Sequence, residues 1–409
     1  MKKKFNILTI GCKANQYESQ AFSDQMKTLG LIFSKEEADI CIVNACAVTS
    51  NADKKSITAI KSLKKKNKKA QFYLTGCIAK EVQDKLDDDI KIIPNSQKET
   101  LISQIFPDKK VPKFSIKNFD NHTRAFVKVQ DGCDSYCSYC IIPFTRGRSR
   151  SRESSDIIDE ISKLTLSGYR EIVLTGINLG EYKSDISFTE LLKRISKIQG
   201  IERIKLSSIH PHDITDELID ILINYKKMSK FLHISLQSGS NRILKKMRRK
   251  YTNEMFLEKV KILTSLHPDF TFSTDLIVGF PSEAIDDVED SIDVIRKAKF
   301  TKVHFFSYSK RPNTLAVKFE NQIDSNIIKE RKKMMQKEAN LISSAKRETF
   351  INREMKVLFE NLKGDYFLGT TENNLLVHVL NNEKISSNQI LDVKLVKNMD
   401  GFILGELCK

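Results

Sequence analysis

The sequence predicts an α/β fold in three parts: an N-terminal parallel-sheet α/β domain over residues 1–107, a central partial (β/α)6 barrel over 120–345, and a small all-β barrel over 350–409. Three observations predict it. The chain has 409 residues, 40% of them hydrophobic, which is more than one core usually supports and enough to fill several. Short apolar runs alternate with helical patterns through most of the length, as in parallel strands covered on both faces. The alternation stops near residue 350, after which only short strands remain.

In the first part FNILTIG, ADICIVNA, AQFYLTG and IKIIPN read as strands. They are followed in turn by a helix from about Tyr17, a Lys-rich helix, a further helix, and LISQIF. Cys12, Cys46 and Cys77 fall at the ends of the first three strands. Open parallel sheets bind ligands in the crevice outside the carboxyl ends of their strands, so three thiols more than thirty residues apart are expected to converge there. A polar stretch with Pro107 and Pro112 reads as a linker running to Asn121. Six strands then follow, RAFVKVQ, EIVLTGI, RIKLSSI, FLHISLQ, FTFSTDL and KVHFFSY, and six such units suggest a partial barrel. Its strand ends read DGC, GIN, SSI, LQSGS, IVGFP and SYS, which places polar and glycine residues where barrels carry their sites. One long charged helix is expected between Ser325 and Arg353, and KVLFE, YFLGTT, LLVHVL, ILDVKLV and GFILGEL make the terminal barrel.

Lys and Arg number 68 against 52 Asp and Glu, a net charge of +16 that favours a polyanionic partner such as nucleic acid. Residues 350–409 hold seven basic and eight acidic side chains, so the excess lies in the two α/β domains, and RNA affinity is expected there. KSLKKKNKK (Lys61 to Lys69) reads equally as a phosphate-binding or a solvated face, while LKKMRRK (Leu244 to Lys250), with two arginines, favours RNA contact. RGRSRSR (Arg146 to Arg152) either steers an anionic substrate or lines its loop. Eight cysteines at these spacings are no disulfide framework, and a reducing cytoplasm is expected. Cys41 reads as core and Cys408 as idle. The apolar run after MKKK is short and interrupted, and no segment is long enough to span a membrane.

DGCDSYCSYCIIP sets Cys133, Cys137 and Cys140 in a C-x3-C-x2-C pattern. Structural zinc wants four protein ligands, and no second cysteine pair lies nearby, although His122 remains a candidate. An iron-sulfur cube held by three thiolates keeps one iron open, able to chelate the amino and carboxylate groups of S-adenosylmethionine. The loop resembles that of the radical S-adenosylmethionine superfamily, and Tyr139 just before the third cysteine fits it.

The resemblance extends through GCKANQYES, NACAVT, TGC, LTGINLGEY, LSSI, LQSGSNRILKKMRRKYT, DLIVGFP and FFSYSKRPNT, which together look like the methylthiotransferases. It implies two 4Fe-4S clusters, a radical cluster on Cys133, Cys137 and Cys140 and a sulfur-supplying one on Cys12, Cys46 and Cys77. It implies S-adenosylmethionine near Tyr139, Gly176, Asn178, Ser207, Gln237, Ser238, Asp275 and Gly279, although each of these also suits ordinary turn chemistry. It implies a TRAM-like RNA-binding terminal barrel, a tRNA anticodon stem-loop as partner, a reductase or flavodoxin-type electron donor, and no membrane. GCKANQYES, MRRKYT and YSKRPNT resemble the branch that acts on N6-threonylcarbamoyladenosine, rather than on isopentenyladenosine or a ribosomal-protein aspartate. Four positions depart from the pattern: Ala45 for threonine, Ile78 for an aromatic residue, His210 for glutamate and Ser282 for glycine. The rival readings are a non-catalytic two-cluster electron-transfer protein and a zinc-stabilised RNA-binding protein.

Overall fold

Runs of Ile, Val, Leu and Phe buried on both faces favour parallel strands. In the computed structural model, which describes residues 2–78, 80–84, 86–120 and 122–408, the strand Ile40–Ala45 is buried at all six positions. The N-terminal elements are β1 (Lys4–Thr9), α1 (Lys13–Thr28), β2 (Ile32–Phe33), β3 (Ile40–Ala45), α2 (Ser50–Lys66), β4 (Gln71–Gly76), α3 (Lys80–Gln83), β5 (Ile90–Ile92) and α4 (Leu101–Ile105). The sheet order is β2-β1-β3-β4-β5, all parallel. Two features differ from the sequence expectation. β2 is a two-residue exposed edge strand, too short to show alternation. α1 begins at Lys13 rather than near Tyr17, because Cys12, in extended backbone (φ −82°, ψ 179°), ends the turn and starts the helix.

The central elements are β6 (Arg124–Lys128), β7 (Gln130–Asp131), α5 (Ile142–Arg146), β8 (Arg150–Ser151), α6 (Ser154–Leu166), β9 (Glu171–Thr175), α7 (Phe188–Ser196), β10 (Arg203–Leu206), β11 (Ser208–Ile209), α8 (Asp216–Asn224), β12 (Phe231–Ile234), α9 (Asn241–Lys246), α10 (Asn253–Leu266), β13 (Thr271–Val278), α11 (Ile285–Ala298), β14 (Lys302–Ser307) and α12 (Ser325–Glu348). Hydrogen bonding divides them into β10-β9-β6 and β11-β12-β13-β14, interrupted at Ser207. Successive residues point to opposite faces. One face, with Ile172, Leu174, Leu232, Phe272 and Leu276, joins the apolar core under the helices. The other carries Arg124, Lys128, Glu171, Lys205, His233 and Asp275, so the arc encloses a polar lumen.

The N-terminal domain lies across the open side of this arc. α1 packs on β6, and beyond β14 the Arg311 guanidinium pairs with Asp53 at 2.5 Å while Ser50 N donates to Ser309 Oγ at 3.0 Å. The polar linker is anchored by Phe114, Ile116 and Phe119, which pack into the adjoining cores. α12 ends at Glu348, short of Arg353.

β15 (Glu354–Lys363), β16 (Tyr366–Thr371), β17 (Leu376–Leu380), β18 (Ile390–Asn398) and β19 (Ile403–Leu407) close into a barrel ordered β15-β16-β17-β19-β18 around Val357, Phe359, Val377, Val393 and Ile403. It docks on the amino-terminal ends of the central strands. Arg203 donates to Thr370 O (3.1 Å) and Lys356 O (3.2 Å), Lys205 Nζ to Asn374 Oδ1 (3.2 Å), and Arg124 pairs with Glu360.

Candidate active site

The loop after β7 begins with Gly132 at φ +71°, where a Cβ would stand 1.9 Å from Arg148 O, so the turn admits only glycine. Cys133, Cys137 and Cys140 follow, all free and partly buried. Ser135 N donates to Cys133 Sγ at 3.4 Å and Arg249 donates to Cys137 Sγ at 3.0 Å. Ser138 anchors the loop, its hydroxyl donating to Lys246 O (2.8 Å) and its N–H to Met247 O (3.1 Å). Burial, with the neighbouring Cys137, pushes the Cys140 thiol up to about 12. Asp134 N and the Ser135 hydroxyl both donate to Glu181, at 3.0 and 3.1 Å, beside a cavity of about 880 Å³ that reaches His212, Asp213 and Lys250.

The other strand-end residues are distributed around the same mouth. Gly176 packs against Gln130, whose Oε1 accepts from Asn178 N at 2.9 Å, and Asn178 Nδ2 donates to Ser135 Oγ at 3.4 Å. Among the described residues, Asn178 Oδ1 and Ser207 Oγ are buried without a hydrogen-bond partner, as is His210 Nδ1, which lies 3.7 Å from Asp213 Oδ2. Buried polar atoms are ordinarily paired, so these three are available to a ligand. Burial, reinforced by Arg249, holds His210 far below the usual imidazole range and therefore neutral. Tyr139 packs with Ile243, Met247 and Phe280. Gln237 adopts φ +70° and bridges β12 to β13 through its backbone, and Ser238 Oγ accepts from Ser240 N. Gly279 passes so close to α12 that a Cβ would stand 2.3 Å from Ile328, and the next turn puts Ser282 at φ +68°, which explains why glycine suits that position. Asp275 lies deeper, 3.3 Å from His233 Nε2 in the lumen, and forms a close group with His233 and His304. His210 leads into the short 3-10 turn Pro211–Asp213, which carries His212.

The second set of thiols is assembled by the sheet. β1, β3 and β4 are neighbours, so Cys12, Cys46 and Cys77 emerge side by side. A Cβ on Gly11 would lie 2.9 Å from Cys46 Cβ. Asn15 Oδ1 accepts from Cys12 Sγ at 3.5 Å. Burial pushes Cys46 up to about 12, with Cys77 and Cys12 adding to it. Cys77 shares a small apolar cluster with Ile141, the residue after Cys140, so the segment that leaves the first set of thiols runs directly to the second.

Arg146 makes that connection. Fully buried, it donates to Cys77 Sγ (2.9 Å), Asn15 Oδ1 (2.5 Å), Glu18 Oε1 (2.9 Å) and Asp131 Oδ1 (2.8 Å). Lys98 and Lys128 complete the network on the same two carboxylates, and Arg152 pairs with the buried Glu160 at 2.7 Å. RGRSRSR is therefore neither a steering patch nor a plain lining, since its first and last arginines are internal struts while Arg148 and Arg150 are exposed. LKKMRRK is likewise divided: Arg249 is committed to Cys137 and Tyr251, leaving Lys245, Arg248 and Lys250 on the surface. Arg146, Arg249, Glu18, Lys98 and Glu181 were missed as site residues, because charged side chains in basic or helical runs carry no mark of burial in one sequence.

An N–H donated to sulfur favours the thiolate, the form that ligates metal. Each set has one guanidinium so placed, which suits an anionic cluster. His122, the candidate fourth zinc ligand, stands before β6 against Phe119 and Phe126, at the strand end opposite Cys133.

Residues 127–295 match the Radical SAM superfamily and residues 4–94 the uncharacterized protein family UPF0004. The chain is 39% identical to threonylcarbamoyladenosine tRNA methylthiotransferase MtaB of Chlamydia pneumoniae, over 100% of this chain and 99% of that one. The chain belongs to the radical S-adenosylmethionine methylthiotransferase family. Similarity to MtaB of Thermotoga maritima is 37% over 88% of this chain and 87% of the relative. Similarity to tRNA-2-methylthio-N(6)-dimethylallyladenosine synthase of Alkaliphilus oremlandii is 33% over 99% and 93%. Among solved structures, the radical S-adenosylmethionine methyltransferase TsrM from Kitasatospora setae aligns over 75% of this chain and 73% of its own with a TM-score of 0.53 at 12% identity, a likeness of fold. Membership of the family implies a 4Fe-4S cluster and S-adenosylmethionine. No helix among the described residues is long and apolar enough to cross a membrane.

Proposed function

We propose that this chain is a tRNA methylthiotransferase that replaces the C-2 hydrogen of N6-threonylcarbamoyladenosine, next to the anticodon, by a methylthio group. The observation that carries the reading is the pair of three-thiol sets, each with a guanidinium on sulfur and joined by the segment from Cys140 to Arg146, in a chain 39% identical along its whole length to an MtaB protein. Cys133, Cys137 and Cys140 hold the radical cluster, and Cys12, Cys46 and Cys77 a second 4Fe-4S cluster. When bound, these groups supply one-electron cleavage of a carbon–sulfur bond to give a hydrogen-abstracting carbon radical, and the sulfur to be transferred.

The chain's own residues bind and orient. Asn178, Ser207 and the neutral His210 offer their free polar atoms to S-adenosylmethionine, His210 serving a ribose hydroxyl in place of the family's glutamate. Tyr139, Gly176, Gln237, Ser238 and Gly279 shape the cofactor's wall, and Asp275 faces the lumen below it. Arg146 and Arg249 hold thiolate charge on Cys77 and Cys137. Breaking an unactivated aromatic C–H bond lies outside side-chain acid-base chemistry, which is why the fold invests six thiolates in it. The base must leave the anticodon-loop stack to reach the cleft between the two α/β domains. The three parts, divided near residues 107–120 and 345–350, act together on the anticodon stem-loop in the cytoplasm, with electrons from a reductase or flavodoxin-type donor.

The test is mass spectrometry of tRNA nucleosides from a strain lacking the protein. The methylthio form of threonylcarbamoyladenosine should be lost, then restored by the intact gene but not by Cys137→Ala. An unchanged nucleoside would refute the substrate and turn attention to isopentenyladenosine and ribosomal proteins.

A further inference from the structure

The lumen of the central barrel carries more positive charge than its own carboxylates balance. Lys13, Arg124, Arg203 and Lys205 all surround Glu171, whose Oε1 lies 3.5 Å from Arg124 Nε and 3.2 Å from Lys205 Nζ, and whose Oε2 lies 3.1 Å from Arg203. Arg124 also takes Glu360 from the terminal barrel. Both Glu171 oxygens are thus engaged, and three of the four cations are tied down by it or by the terminal barrel.

Lys13 is the exception. It follows Cys12 directly, its ammonium 5.8 Å above the Phe126 ring, and it remains accessible to solvent. Among the described residues no carboxylate stands within 4.0 Å of it. Arg124 and Glu171 on the arc and His304 at its far edge are its charged neighbours, so it stands where α1 meets the arc. An accessible ammonium with no carboxylate beside it is available to an anionic ligand.

We infer that Lys13 is a specificity-determining residue that binds the carboxylate of the threonylcarbamoyl group. The inference rests on the proposed function. In that substrate C-2 and C-6, which bears the exocyclic nitrogen, flank N1 of the purine. The amino-acid substituent therefore lies along the same edge as the reacting carbon, and a cation one residue from a sulfur-site ligand is placed to meet it. The same anionic chemistry could come from a backbone phosphate of the RNA, and the test separates the two sources.

The experiment uses full-length, cluster-loaded enzyme and anticodon stem-loops bearing threonylcarbamoyladenosine either as the free acid or as its methyl ester. Wild-type enzyme should prefer the acid by about 10- to 100-fold in kcat/KM, the scale of one charge-assisted hydrogen bond. Lys13→Gln should lose that preference mainly through KM and treat acid and ester alike, while Lys13→Arg retains most of it. Iron and sulfide content and 5′-deoxyadenosine formation should stay at wild-type levels in both variants. Equal loss on acid and ester in Lys13→Gln would assign the residue to a phosphate or to the architecture and overturn the inference, as would no loss at all. Wild-type enzyme that modifies neither stem-loop would remove the proposed function and this inference with it.

Discussion

The two sets of thiols are built in opposite ways. Cys133, Cys137 and Cys140 lie on one loop, pinned at Ser138 to the end of α9 and at Cys137 to Arg249, all within the central domain. Cys12, Cys46 and Cys77 come from three strand ends, and the set is completed by Arg146 from the neighbouring domain. A local set tolerates disturbance elsewhere. A set assembled from a sheet and closed by a second domain inherits the stability of both and of the contact between them.

The largest effect that tests this difference comes from removing one thiol of each set. Cys137→Ala should abolish both reductive cleavage of S-adenosylmethionine and methylthiolation. Cys77→Ala should abolish methylthiolation while cleavage continues, and each variant should retain roughly half the iron. Loss of cleavage in Cys77→Ala would show that the sets are not separable.

Next is the strut between them. Arg146→Leu leaves Glu18 and Asp131 buried with fewer cations, a loss on the order of 3–5 kcal/mol, visible as a Tm lowered by several degrees. Because Arg146 touches Cys77 and not Cys137, iron should leave the N-terminal set first, which spectroscopy of the remaining cluster in a Cys137→Ala background would reveal. Unchanged Tm and iron would show that the domain contact does not support the sheet-built set.

A third effect concerns pH. Burial alone would raise the Glu171 carboxyl, but Lys205, Arg124 and Arg203 outweigh it and bring it down to about 2. A carboxyl lowered in the folded state contributes stability that is present above the unfolded value of 4.5 and is lost as pH falls towards 2. Glu171→Gln should therefore be less stable than wild type at neutral pH, and the gap should close on acidification through that window. A gap that does not change with pH would mean the carboxyl is not held down in the lumen. The smallest effect belongs to Arg148→Ala. Its exposed pair with Asp134 at 3.1 Å should leave Tm and iron content unchanged, in contrast to Arg146 two residues earlier.

Much of this was legible in order along the chain. Hydrophobic runs and turn residues gave the strands, the loop spacing set Cys133, Cys137 and Cys140 together, and strand order at the sheet's carboxyl edge implied that Cys12, Cys46 and Cys77 meet. Those inferences work because periodicity and strand ends are local properties that tertiary packing seldom reverses. The edge strand β2 escaped because two residues cannot show a period. The roles of the arginines escaped for a different reason. Arg146 and Arg148 stand in one basic run with the same side chain, yet one is sealed against Cys77 and two carboxylates while the other lies in solvent. What a charge does depends on how far it is desolvated and which partners reach it, and both are set by elements remote in sequence. By itself, then, the sequence determined where the strands run and on which strand ends and loop the cysteines stand. The docking of the terminal barrel on the far end of the central strands, the N-terminal domain across the open arc, and the exposure of Lys13 where α1 meets it were decided only when three domains buried their surfaces against one another.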